Sequence, residues 1–282
     1  MRLAVSNIAW RLEEADAALD CLQALGVAGL EIAPGLTFPG EPDPVRPSPS
    51  AVDAWTVGLE RRGLTLASMQ SLLFGRAEAA LFGDDDGRRA FEAGLEAAID
   101  LAARLDCPNL VLGSPAARRI PNGMDARTAE AIALEVIGRL GDRCSQVGSI
   151  LSLEPNPAIY GTNFLNTWGE TLAFVRTLDH PAVRLNLDIG ALIVNGETEA
   201  VIDSLPLAID RIGHVHISEP GLAAAPANPA ALSPLFAALQ RQGHDGWVSI
   251  EMRSGDGDNL ETLRSSVEKA RAALAASGAD RP

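Results

Sequence analysis

Four residues of metal-ligand type stand at the ends of short apolar runs in the second half of the chain. Glu154 closes ILSLE, Asp188 closes VRLNLD, His216 lies in IGHVHI and Glu251 lies in WVSIEM. They are 34, 28 and 35 residues apart, each spacing close to the ~30 residues of one strand–helix–strand repeat. Four consecutive strands would therefore deliver three carboxylates and one imidazole to the same rim. Oxygen donors with a single nitrogen suit one divalent ion, Mn²⁺ first and Mg²⁺ or Co²⁺ as alternatives, better than a thiolate-rich structural zinc site. Any one Asp or Glu at a strand end is as readily explained by loop amides; four at successive ends are not.

Positioning such a set needs a repeating α/β architecture. Eight apolar runs qualify as strands: LAVSNI (3–8), GLEIA (29–33), LTLASM (64–69), NLVLGS (109–114), ILSLEP (150–155), VRLNLD (183–188), IGHVHI (212–217) and WVSIEM (247–252). Stretches with helical periodicity separate them, among them RRAFEAGLEAAIDLAARL, AEAIALEVIGRLGDRCSQV and TWGETLAFVRTL, with a weaker one near ETEAVIDSL. This alternation predicts a single (β/α)₈ TIM barrel domain over residues 1–282, a fold that commonly runs to about 250 residues. No GxGxxG follows the first strand, which argues against a doubly wound dinucleotide fold. Active sites of such barrels lie at the C-terminal ends of the strands, where the four residues fall. The Pro- and Gly-rich segment APGLTFPGEPDPVRPSPS (33–50) predicts an irregular second βα loop, a candidate lid over the barrel mouth.

Hydrophobic residues make up 47% and charged residues 21% of the chain, the balance of a folded globular protein. With 37 acidic against 23 basic residues, the net charge of −14 speaks against nucleic acid or an anionic membrane as partner. No apolar run reaches the ~20 residues of a membrane span. The opening MRLAVSNIAW reads as a strand rather than a signal peptide, and Cys21, Cys107 and Cys144 are too few and scattered for a disulfide scaffold, so a reduced cytoplasm is expected. Lys269, the only lysine, lies in an amphipathic C-terminal stretch, which excludes Schiff-base chemistry at a buried lysine.

In LEPNP (153–157), LNLDIGA (185–191), HVHISEP (214–220) and WVSIEM (247–252) the chain resembles the sugar phosphate isomerase/epimerase family of xylose isomerase-like barrels, which includes D-tagatose 3-epimerase-like enzymes. The resemblance implies one metal ion held by Glu154, Asp188, His216 and Glu251, with Glu154 and Glu251 also acting as acid and base. It implies a small keto sugar or polyol-derived carbonyl substrate, and a possible homo-oligomer. Proton removal beside a carbonyl gives an enediolate, and a carboxylate on each side of its plane permits epimerisation. Three departures fall where such relatives choose substrate. Asp188 is followed by Ile189, Gly190 and Ala191 instead of a DxxH histidine, Leu222 stands near the place of an Arg, and Tyr160 near that of a Glu.

Further residues have two readings each. Asn156 and Tyr160 follow the first ligand closely and are candidates for substrate contact, or for holding their own loop. Ser68 and Gln70 after the third strand, and Ser114 and Arg118 after the fourth, could bind substrate hydroxyls or a phosphate, or cap loops. Glu31 could accept from a substrate hydroxyl or pair with an Arg, and Trp10 could wall a sugar ring or pack in the core. His214, two before His216, shares its face and is either a partner of the site or a satisfied core histidine. His180 and His244 precede strands and carry no assignment.

The leading expectation is a metal-dependent isomerase or epimerase; the alternative is a lyase or dehydratase that uses the same enolate and then expels a neighbouring group. A three-zinc endonuclease IV-like site would need more His and Asp than this chain has, and would suit neither its charge nor its four histidines. A non-catalytic sugar-binding protein would have lost a ligand, and all four are present.

Overall fold

In the computed structural model, which describes residues 1–278, all eight apolar runs form strands: β1 (Arg2–Ser6), β2 (Gly29–Ile32), β3 (Thr65–Met69), β4 (Asn109–Leu112), β5 (Ile150–Leu153), β6 (Val183–Asp188), β7 (Ile212–Ile217) and β8 (Trp247–Ile250). They pair in parallel in sequence order, and β8 returns to β1 through Leu3–Val248 and Val5–Ile250, closing the barrel. Near-continuous apolar runs are what a sheet buried on both faces requires. Val5, Ile32, Leu112, Leu153, Val215 and Ile250 have no exposure at all.

Alternate side chains point to the barrel axis, so residues two apart share the interior. Asn186 with Asp188, His214 with His216, and Ser249 with Glu251 are such pairs. Two register shifts decide which polar groups meet. β3 carries an extra residue opposite Leu30/Glu31, which brings Ser68 level with Glu31. β7 carries one opposite Leu185/Asn186, which brings His214 level with Asn186. At the barrel floor a Cβ on Gly29 would lie 2.6 Å from both the Ala4 Cβ and the Trp247 ring, so glycine there lets the indole fill the base. The Arg2 guanidinium caps that ring at 4.2 Å.

The outer layer comprises α1 (Ala15–Ala24), α2 (Pro34–Thr37), α3 (Pro49–Arg61), α4 (Asp85–Arg104), α5 (Ala126–Val147), α6 (Trp168–Leu178), α7 (Ile189–Asn195), α8 (Thr198–Ala208), α9 (Pro229–Arg241) and α10 (Asn259–Ala276). Side-chain caps start the long ones: Asp84 accepts from Gly87 N–H, Asp125 from Thr128 and Asp258 from Glu261. Thr167 and Glu170 form a capping box at α6. The weak pattern near 197–205 is α8, interrupted by Pro206.

A helix outside the stretches named from the sequence, α7, begins directly after Asp188, whose carboxylate accepts from Ala191 N–H at 2.6 Å and is its cap. Segment 33–50 is not a lid. It opens with the single turn α2 and then packs on the barrel flank, with Phe38 edge-on to Trp55, Asp43 paired with Arg76 at 2.8 Å, and the Pro47 carbonyl accepting from Arg104 in the last turn of α4. None of its residues lines the cavity described next.

Candidate active site

The strand ladder carries the four ligand-type residues to one level. Glu154 and Glu251 follow directly on β5 and β8, and their N–H groups still donate to Leu112 and Ile217 of the neighbouring strands. Asp188 and His216 are register partners across β6 and β7. One donor atom from each of the four lies within 4.8 Å of all the others. His216 Nδ1 is 3.3 Å from Glu251 Oε2, 3.4 Å from Glu154 Oε2 and 3.7 Å from Asp188 Oδ2. Gly113 leaves room for this arrangement, since a Cβ there would come within 2.9 Å of Glu154 Oε1.

Each carboxylate has a different set of supports. Glu154 accepts from Asn156 Nδ2 at 2.7 Å and from Asn186 Nδ2 at 3.0 Å. Asp188 accepts from Ser218 Oγ at 2.5 Å, and that hydroxyl in turn accepts from Gly190 N–H. Glu251 has His216 as its hydrogen-bonding partner and, among the described residues, no amide. Burial works against ionisation of Asp188, and the charges of Glu154 and Glu251 add to it, so its carboxyl sits well above the ordinary range. Burial also raises Glu251. Glu154 is desolvated too, but His216, Asn156 and the charge of Arg118 outweigh burial and hold it below the usual value. For His216 burial opposes protonation, and Glu31 and Glu251 overcome it, raising the imidazole well above its ordinary range.

These groups open onto a cavity of about 450 Å³ whose walls include Asn156, Tyr160, Ser218, Leu222 and Arg253. The donor chemistry fits a divalent cation: three carboxylates with spare lone pairs, one imidazole nitrogen, and an excess of negative charge that the surrounding amides leave unbalanced.

The structure gathers Glu154, Asp188, His216 and Glu251 at the cavity, with Asn156 and Tyr160 on its wall. The Tyr160 hydroxyl accepts from Gly221 N–H at 3.1 Å and so ties the β5 loop to the β7 loop. The other candidates for substrate contact do not line this cavity. Arg118 has no exposure; desolvation lowers its pKa to about 10, and its Nη2 donates to the Glu154 carbonyl and to Asn156 Oδ1, holding the loop from behind. Glu31, Ser68, Gln70 and His214 form a sealed network below the cavity, and Trp10 is packed in the core at 4% exposure. Ser114, in a left-handed conformation, lines a neighbouring cavity beside Phe74.

Sequence reasoning missed Asn186, Ser218 and Arg253. Each lies two residues from one of the four residues of ligand type, and the same-face rule that singled out His214 would have found all three. Arg253 is exposed and, among the described residues, is the only basic one on the cavity wall.

The sequence model of the xylose isomerase-like TIM barrel family matches residues 19–275. A Streptomyces coelicolor protein named "Putative hydroxypyruvate isomerase" is 26% identical over 247 residues, 82% of this chain and 84% of its own. The Ketose 3-epimerase of Arthrobacter globiformis is 31% identical over 130 residues, 45% of this chain and 44% of its own. The solved structure of an L-ribulose 3-epimerase superposes with a TM-score of 0.79 at 17% identity, covering 98% of this chain and 95% of the other. At that identity the superposition speaks for the fold.

Proposed function

Because the chain belongs to the xylose isomerase-like TIM barrel family, we propose that it is a divalent-metal-dependent isomerase or epimerase of a small keto sugar or related carbonyl compound. The observation that carries this reading is the meeting of Glu154, Asp188, His216 and Glu251 within 4.8 Å at the cavity floor. These four would hold the ion. When bound, it supplies positive charge that lowers the cost of negative charge developing on the substrate's carbonyl oxygen.

The remaining steps fall to the chain's own groups. One of the two glutamates takes a proton from the carbon beside the carbonyl; the bonding pair moves toward the carbonyl oxygen as an enediolate, and a carboxyl group returns a proton to carbon. Return to the opposite face of the same carbon epimerises; return to the former carbonyl carbon isomerises, with the hydroxyl proton of the enediolate passing to the former carbonyl oxygen. Glu154, with two amide donors on its carboxylate, is suited to rest as the base. Glu251, without amide donors, is suited to carry the proton back. Tyr160 and Asn156 wall the cavity, and the exposed guanidinium of Arg253 faces the polar end of a substrate.

The test is solvent exchange. Mn²⁺-loaded protein is incubated in deuterated water with hydroxypyruvate and with pentuloses and hexuloses, the compounds named by the relatives and their class. Deuterium entering carbon beside the carbonyl, together with an isomeric product, supports the reading. Release of a leaving group with an ultraviolet-absorbing product would favour the lyase alternative. Neither exchange nor product across the panel, with metal bound, would refute the proposal.

A further inference from the structure

Beneath the cavity a single carboxylate is shared by two imidazoles. Glu31, in β2, has no exposure, and its Oε2 lies 3.0 Å from His216 Nε2 and 3.1 Å from His214 Nε2. The same oxygen accepts from the Ser68 hydroxyl, and Oε1 accepts from Gln70 Nε2 at 2.9 Å. An ionised carboxylate only accepts hydrogen bonds, so the imidazole nitrogens that face it must carry hydrogens.

The consequence for His216 is specific. With hydrogen on Nε2, a neutral ring has its lone pair on Nδ1, and Nδ1 is the atom turned toward Glu154, Asp188 and Glu251. Asn186 Nδ2 lies 3.0 Å from Nδ1 and donates to Glu154 Oε2, so it flanks the ring on the side of the carboxylates. The His214 ring stands perpendicular to the His216 ring, 5.1 Å between centroids, and limits its rotation.

We propose that Glu31 is a positioning residue that fixes His216 in the Nε2–H tautomer and so presents the Nδ1 lone pair to the divalent ion. This rests on the metal reading above and goes beyond it, since Glu31 itself touches neither ion nor substrate. A carboxylate that orients a ligating histidine raises its basicity, and loss of such a partner typically weakens metal binding by roughly 10- to 100-fold. Glutamine keeps an oxygen toward the imidazoles only if Gln70 turns its own amide, and in either case it removes the negative charge that raises their basicity. The trio Glu31, His214 and His216 is close enough to suggest a second ion site, but Ser68 and Gln70 already occupy the carboxylate, and no member is more than 1% exposed, so the cluster is a hydrogen-bond network.

Chelator-stripped full-length protein is titrated with Mg²⁺ by calorimetry, and ¹⁵N-histidine spectra are recorded on the Mg²⁺-loaded protein. We expect one ion per chain, a proton on His216 Nε2 with Nδ1 bare, and roughly 10- to 100-fold weaker binding in a folded Glu31→Gln variant. A proton on Nδ1 in the wild type overturns the proposal, as does a folded Glu31→Gln that binds Mg²⁺ as tightly as wild type. Two ions per chain, the second lost in Glu31→Gln, would make Glu31 a ligand and also overturn it. If Glu31→Gln does not fold, the wild-type spectrum decides. A wild type that binds no Mg²⁺, in a parallel titration no Mn²⁺ either, sinks the metal reading and this proposal together; binding with the wrong tautomer sinks the proposal alone.

Discussion

His216 belongs to two clusters built from the same residue types, and they have opposite character. Below it, one carboxylate meets four donors and nothing is exposed. Above it, three carboxylates share one imidazole atom and a few amides, and the group faces a cavity. The lower cluster is balanced, as buried polar groups must be if they only hold structure. The upper one concentrates like charge, which folding alone would not retain. Imbalance, rather than residue type, marks the place where something is to bind.

The sharpest way to break this contrast is to neutralise the upper carboxylates. Glu154→Gln and Glu251→Gln should each lower kcat by at least the roughly 10²- to 10⁴-fold typical of general acid–base groups, with the fold retained. For an epimerase, one variant should still exchange the substrate proton with deuterated water without inverting the centre. Turnover at the wild-type rate in both would end the assignment.

Removing the ion should come next in size. At a free concentration 100-fold above its Kd, a ligand bound only to the native state stabilises it by about 2.7 kcal/mol. At about 2–4 °C per kcal/mol for a chain of this size, chelation should lower Tm by roughly 5–10 °C. An unchanged melting curve would show that the upper charges are balanced without a cation.

Breaking the lower cluster should affect stability first. Ser68→Ala removes one donor to Glu31 and should destabilise by about 1–3 kcal/mol in denaturant titrations while KM stays near wild type. A large change in KM at unaltered stability would place Ser68 at the substrate instead.

His244 is a control for both clusters, an imidazole whose Nε2 has no hydrogen-bond partner. Burial is the main reason its pKa falls to about 4, and the positive N-terminus adds to it. The unfolded chain then binds a proton that the native state refuses, so this contribution is complete above about pH 6.5 and is lost as pH falls toward 4. Allowing for its partial exposure, the loss should be on the order of 1–2 kcal/mol. His244→Phe should flatten the fall in Tm between pH 6.5 and 4; an identical slope in the variant would reject the cause.

The barrel and the meeting of Glu154, Asp188, His216 and Glu251 are legible because both are written as periods: strand spacing of about 30 residues, with a carboxylate or imidazole at four successive ends. The lower cluster is not. Glu31, Ser68 and Gln70 show which strand they end, but their depth depends on the two register shifts, which no local pattern announces. Arg118 was misplaced for a related reason, since an arginine in a loop is ordinarily solvated and only the fold reveals it sealed behind Glu154. Composition alone suggests a lid at 33–50, whereas the partners of that segment, Arg76 and Arg104, lie in distant parts of the sequence.

The contact between Glu31 and His216 spans 185 residues of chain. At about 5–20 residues per second, ribosomal synthesis leaves roughly 10–40 s between the emergence of the carboxylate and that of the imidazoles that enclose it. During that interval the β2 carboxylate meets only Ser68 and Gln70 of the four donors that finally enclose it, so the N-terminal strands gain less by closing on one another. The polar floor of the site thus delays barrel closure until β7 arrives, and a nascent chain halted before His214 should be readily digested by protease.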